Sequence, residues 1–216
     1  MELETASVVA VVVSHNSAKW LPQCIGALVG QVPVIVVDNA SSDGSVEAAR
    51  GAGAYVILNT HNQGYGRANN QGVRAAKSAE WCLVINPDVV VDRDCLSALL
   101  KAAKRRPKTA ILAPRLVEPD GRTFVHSKSV LSAASSIHDQ AAEDVIEGDH
   151  VVPFVSGACF LVKRSAFLSA GGFDERIFLF YEDDDLCLRL RNAGFELVLV
   201  GDAVARHARG TSSAPA

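Results

Sequence analysis

Long apolar runs alternate with amphipathic stretches along the first part of the chain, as far as Asp88. The runs at 7–14, 32–38, 54–59 and 81–86 predict strands, and the stretches at 18–29, 45–52 and 66–78 carry helical spacing. The first strands are nearly unbroken Val and Ile, the pattern of strands covered on both faces of a parallel sheet. Strand–helix alternation of this kind builds βαβ units with right-handed crossovers.

Beyond Asp88 the rhythm changes. A helix is predicted over 94–106 and a strand over 111–117, followed by a turn at Glu118-Pro-Asp-Gly121. Residues 127–149 are Ser/Ala-rich, acidic and weakly periodic, and read as a variable excursion. Order resumes with a strand over 155–163, a short helix over 164–170, an acidic helix opening at Glu182, and strands at 195–200 and 204–207. Residues 211–216 read as a frayed tail. The expectation is an α/β fold in a single domain over 1–216, with a mostly parallel central sheet flanked by helices. Within it, 7–90 form one half and 91–210 the other.

Composition narrows the class. The chain has 216 residues, 49% of them hydrophobic and 21% charged, enough for one large core without a covalent staple. A net charge of −3 gives nucleic acid no electrostatic footprint. Cys24, Cys82, Cys95, Cys159 and Cys187 are scattered, without any C-x-x-C pair, which fits small buried hydrophobes in a reducing cytosol rather than disulfides or zinc. The acidic start lacks a basic n-region and reads as no signal peptide, so a cytoplasmic location is expected.

Ligands of a parallel α/β sheet bind beyond the carboxyl ends of its strands, and four predicted strands end in polar residues. The first ends in Ser14-His15-Asn16, the second in Asp38-Asn39, the third just before Asn62-Gln-Gly-Tyr-Gly-Arg67, and the fourth in Asn86-Pro87-Asp88. Asp38 suits the imide N–H of uracil or thymine, a ribose hydroxyl, or an Asx-turn. For Asp43, beside Gly44, the turn is preferred. Gly64 and Gly66 allow close approach of backbone, and Arg67 offers a fork for phosphate. The segment is neither a dinucleotide fingerprint, since Asn69 stands at the third glycine position, nor a P-loop. Asp88 places a hard oxygen at the rim, suited to Mg²⁺ or Mn²⁺ shared with a diphosphate. Glu182, Asp183, Asp184 and Asp185 suit both a solvated helix N-terminus and a general base beside a cation.

VVVSHNS, VVDNASSDGS, NQGYGRANNQG, LVINPDV, FVSGACFLVKRSAF, GGFDERIFLFYEDDDLCLRLRNAGF and ARHARGTS stand in this order from Val8 to Ser212. Together they resemble the family-two inverting glycosyltransferases of the GT-A (nucleotide-diphospho-sugar transferase) fold, in particular the bacterial rhamnosyltransferase-like branch. The resemblance implies a nucleotide-binding half over 7–90 and an acceptor and catalytic half over 91–210. It implies that Ser14, Asn16, Asp38, Asn62, Arg67 and Asn86 meet the donor nucleotide, with Asp38 on the base. Asp88 corresponds to the metal-binding last acid of an Asp-x-Asp motif whose first acid is here Asn86, and His207 to a histidine that completes the metal site in some relatives. Gly157 falls in the sugar and acceptor region, to which Asp185 is also assigned. Asp183, beside Glu182, corresponds to the catalytic base.

The implied partners are a dTDP- or UDP-sugar (rhamnose is the favoured sugar), a divalent Mn²⁺ or Mg²⁺, and a saccharide or lipid-linked saccharide acceptor of cell-surface glycan synthesis. A sugar nucleotidyltransferase would carry a glycine-rich loop with an arginine after the first strand, where SHNSAKW holds no glycine. A sugar-nucleotide-binding relative without turnover would keep the fold, but Asp88, Asp183 and His207 are all retained. Lys101, Lys104, Arg105, Arg106 and Lys108 suit peripheral contact with an anionic membrane face or, as preferred here, the C-terminal end of a helix dipole. Oligomeric state is not encoded in any of these motifs.

Overall fold

The computed structural model describes residues 7–124 and 147–208, together with positions 3 and 131. Most of the predicted 127–149 excursion, and the tail, lie outside the described residues. The elements run β1 (Val8–Ser14), α1 (Leu21–Leu28), β2 (Val34–Asp38), α2 (Ser45–Gly51), β3 (Tyr55–Leu58), α3 (Tyr65–Ala75), β4 (Trp81–Ile85), β5 (Val89–Val91), α4 (Cys95–Arg105), β6 (Thr109–Val117), β7 (Thr123–Phe124), β8 (Asp149–Val151), β9 (Cys159–Lys163), α5 (Arg164–Ser169), α6 (Glu182–Asn192) and β10 (Glu196–His207). The α/β class and the central sheet flanked by helices are as expected from the sequence.

One sheet carries the strands in the order β3-β2-β1-β4-β9-β6-β10-β5, with β7 beside β6 and β8 beside β10. Parallel pairing prevails in the N-terminal half, where β3, β2, β1 and β4 all run together. In the C-terminal half β9 runs against both β4 and β6, and β10 is parallel to β6 but antiparallel to β5 and β8. The two predicted late strands are a single one, β10, whose register against β6 slips between Val200 and Val204. Such an irregularity bends a strand without ending it.

Alternation along β1 shows why these runs form a sheet between two helical layers. Val9, Val11 and Val13 enter one core with Ala68 and Val73 of α3, Phe167 of α5, and Leu186 and Leu190 of α6. Val8, Ala10 and Val12 enter the other with Ile25 and Leu28 of α1, Ala49 of α2 and Leu99 of α4. Every residue of β1, β2 and β4 is buried, and each such aliphatic side chain stabilises the fold by roughly 1.5–3 kcal/mol. Helix α3 sits especially close to the sheet, because a Cβ at Gly72 would overlap the Val11 side chain.

Strand direction gives the molecule two unlike edges. The carboxyl ends of β1, β2 and β4 share one edge, in register Ser14 with Asp38 and Val12 with Ile85. Strand β6 runs the same way as β4, since both are antiparallel to β9. The end of α4 and the start of β6, where Lys101 to Lys108 cluster, therefore lie at the opposite edge. There Arg105 pairs with Asp149 at 2.8 Å and Arg106 with Glu196 at 3.4 Å. No helix among the described residues is long and apolar enough to cross a membrane.

Candidate active site

The carboxyl edge opens into a cavity of about 530 Å³ whose lining includes His15, Asn39, Asn62, Tyr65, Asn86, Gly157, Glu182, Asp183 and His207. A smaller cavity of about 260 Å³ adjoins it, with Trp20, Asp88, Glu118 and His207 in its wall. The strand-end residues thus converge, as their positions in βαβ units predict.

At the β1–β2 end the polar side chains bind one another. The Asp38 carboxylate accepts the Ser41 N–H at 2.9 Å and the Ser41 hydroxyl at 2.6 Å, holding its own loop three residues on rather than forming an Asx-turn. Asn16, in the left-handed region at φ +52°, accepts the Ser42 N–H at 2.9 Å through Oδ1, while its own N–H donates to Ser41 Oγ. Asp43 accepts the Ala18 N–H at 3.1 Å and the Ser45 N–H at 3.0 Å, so the preferred turn reading describes its geometry. Asn39, which the sequence reading left without a role, is buried and donates to the Gly64 carbonyl while accepting from Asn59 at 2.8 Å. Asn62 caps the next turn, accepting the Gly64 N–H at 3.0 Å.

Of the predicted site residues, Ser14, Asn16, Asp38, Arg67 and Asp185 line neither cavity; the last two are engaged elsewhere. Arg67 meets Glu175 at 3.0 Å on the outer face of α3, where Arg74 and Asn70 also bind Glu175, and it is absent from the cavity lining. Asp185 forms an ion pair with Arg189, one helical turn on, at 2.6 Å.

Asp88 and His207 come together. His207, paired with Val89 across β5 and β10, places Nε2 3.4 Å from Asp88 Oδ2, and the Asp88 side chain is fully buried. A carboxylate and an imidazole at the mouth of a cavity fit a divalent cation that takes its remaining oxygens from a diphosphate. Among the described residues no set of three His, Cys, Asp or Glu side chains surrounds a cation position.

The acidic run resolves into four different environments. It follows two non-glycine residues held left-handed, Phe180 at φ +68° and Tyr181 at φ +69°, a costly backbone that clusters at functional sites. Glu182 is 5% exposed, and its Oε2 has no hydrogen-bond partner among the described residues. Burial, reinforced by the Asp183 charge, pushes its carboxyl up to about 7. Asp183 faces the cavity, accepting the Gly157 N–H at 2.7 Å and the Asp184 N–H at 2.9 Å. Burial raises its pKa, and these N–H donors oppose the rise. Asp184 is buried and accepts the Leu131 N–H at 3.0 Å. Gly157 thus lies against the base candidate itself: a Cβ there would come within 3.2 Å of Asp183 Oδ2.

Ser14 Oγ and Asn86 Oδ1, like Glu182 Oε2, are buried without a hydrogen-bond partner among the described residues. Most such groups in proteins are satisfied; Asn86 and Glu182 line the larger cavity, and Ser14 sits between its lining residues Val13 and His15.

Residues 9–169 match the model of glycosyl transferase family 2. The chain belongs to that family. It is 34% identical over 209 residues to the N-acetylglucosaminyl-diphospho-decaprenol L-rhamnosyltransferase of Mycobacterium tuberculosis, covering 84% of this chain and 68% of the relative. It is 27% identical over 205 residues to rhamnosyltransferase WbbL of Escherichia coli K12, covering 87% of this chain and 78% of the relative. Among solved structures it resembles GalNAc-T7 bound to UDP, GalNAc and Mn²⁺, with a TM-score of 0.75 at 15% identity over 94% of this chain and 44% of that one. This glycosyltransferase accordingly has the GT-A-type fold that its motifs imply.

Proposed function

We propose that this family-two glycosyltransferase moves a sugar, with inversion, from a nucleoside-diphosphate sugar to a hydroxyl of a saccharide or lipid-linked saccharide. The observation that carries the reading is Asp183, a clamped carboxylate facing a cavity whose far end is formed by the β1 and β2 termini. The donor nucleoside lies at that end, among Ser14, Asn39, Asp38 and Asn62, and the sugar extends past Asn86 toward Asp183. The rhamnosyltransferase relatives support rhamnose as the sugar.

Asp183 takes the acceptor proton as the acceptor oxygen bonds to the anomeric carbon and the bond to the diphosphate breaks. The nucleoside diphosphate leaves from the opposite face, so no glycosyl-enzyme forms. A raised pKa strengthens Asp183 as a base. Asp88 and His207 would hold the divalent cation that neutralises charge on the leaving diphosphate when bound. Glu182 lines the same cavity beside the base.

Calorimetric titration with UDP and dTDP, each with and without Mn²⁺, tests the donor side. One pyrimidine diphosphate should bind only with metal, and Asp88→Asn should lose that binding. Absence of binding by either nucleotide would refute the donor assignment.

A further inference from the structure

From the hydrogen bonds that converge on Gly157 we infer that Tyr65 is a positioning residue for Asp183, acting through that glycine. The inference rests on the reading of Asp183 as the base. Helix α6 has no side-chain cap, and its Ncap, Tyr181, is left-handed, so the helix start does not fix the base by itself. Among the described residues the external hold on the carboxylate is the Gly157 N–H, from a loop 26 residues away in sequence. A glycine in a loop is the residue least able to keep a donor aimed, because its backbone is the freest to rotate. A side chain there would crowd the base, since a Cβ would come within 3.2 Å of Asp183 Oδ2. Something else has to hold it.

Tyr65 does so. Its hydroxyl donates to the Gly157 carbonyl at 2.6 Å, from 92 residues away. The N–H that clamps the base and the carbonyl that Tyr65 holds flank the same Cα, so fixing one limits the rotation of the other. The ring is itself held edge-on to Phe173, with centroids 5.9 Å apart. Its backbone N–H donates to the Phe178 carbonyl at 3.0 Å. Phe178 begins the turn that delivers Glu182 and Asp183, and it can lie this close only because position 64 is glycine: a Cβ there would sit 2.5 Å from the Phe178 oxygen. One residue therefore ties down both the loop that clamps the base and the turn that carries it. Burial, with the nearby Glu182 and Asp183 charges, pushes the phenol well above its ordinary pKa, so it remains a donor and is not a rival base.

Tyr65→Phe removes the hydroxyl and keeps the ring contacts. The Asp183 carboxyl is followed by ¹³C NMR titration, with its resonance assigned from Asp183→Asn, and transfer is followed with the donor identified by calorimetry. The Asp183 pKa should rise as the Gly157 donor loosens, and kcat should fall about 10- to 100-fold, the scale of a small misplacement of a catalytic group. Donor KM should hold steady, and Tm should drop by only a few degrees, about 2–4 °C for a single hydrogen bond. A lowered Tm with the Asp183 titration and kcat unmoved would assign Tyr65 a merely structural role and overturn the inference. If wild-type protein transfers no sugar, the base reading fails while the NMR titration still decides whether Tyr65 governs the carboxylate.

Discussion

The two ends of the cavity are built on opposite principles. At the end proposed for the nucleoside, Asp38, Asn16, Asp43 and Asn39 direct their hydrogen bonds to one another's loops, which leaves a rigid polar rim. At the end proposed for catalysis, acids are crowded behind a strained turn, and a buried carboxylate oxygen lacks a partner among the described residues. The first end is stabilised by the interactions that shape it. The second holds charge where burial disfavours it, the arrangement that shifts pKa values toward use.

Substitutions should separate the two ends by size and kind of effect. The largest is expected for Asp183→Asn, which should lower the transfer rate by about 10³-fold with little change in donor KM. Steady-state kinetics with saturating acceptor would show it, and near wild-type turnover would remove Asp183 from the base role. The rate should also fall as pH drops through a value above the ordinary aspartate range.

Next comes Glu182, whose carboxyl binds its proton more tightly in the folded chain than in the unfolded one. That linkage stabilises the fold at acid pH and is lost as pH rises from the ordinary range of 4.5 through about 7. Glu182→Gln should therefore match wild type at about pH 4 and exceed it by roughly 3 kcal/mol at about pH 8.5 in urea denaturation. Equal stabilities at both pH values would show that the oxygen is solvated or paired. Ser41→Ala should have the smallest effect, a loss of about 1.5 kcal/mol at neutral pH, because the Asp38 carboxylate gives up one charge-assisted hydrogen bond. If it leaves stability untouched and weakens nucleotide binding instead, the rim is less self-contained than its hydrogen bonds imply.

Legibility in the sequence follows the same divide. The strands of the N-terminal half were readable because burial on both faces writes them as unbroken apolar runs. Their polar termini were readable because βαβ units put them on one edge. The direction of β9 was not, since Cys159–Lys163 is equally apolar whichever way it runs. Strands β5, β7 and β8 are too short to show a period. The four acids could be seen as a cluster but not sorted, because their fates depend on Gly157, Leu131 and the turn at 178–181. Only the Asp185–Arg189 pair had a local signal, its spacing of four along a helix. Tyr65 stood between two glycines in a quoted motif, yet its partner is 92 residues distant, beyond any local pattern.

The opposed edges of the sheet also give the molecule an orientation. The basic cluster at the end of α4 and the cavity mouth face away from each other. An anionic surface that gathered Lys101, Lys104 and Lys108 would hold the enzyme with its catalytic opening turned outward. A substrate embedded in that same surface would have to be met by the other side of the protein, so attraction to charge and access to such an acceptor are competing postures rather than one.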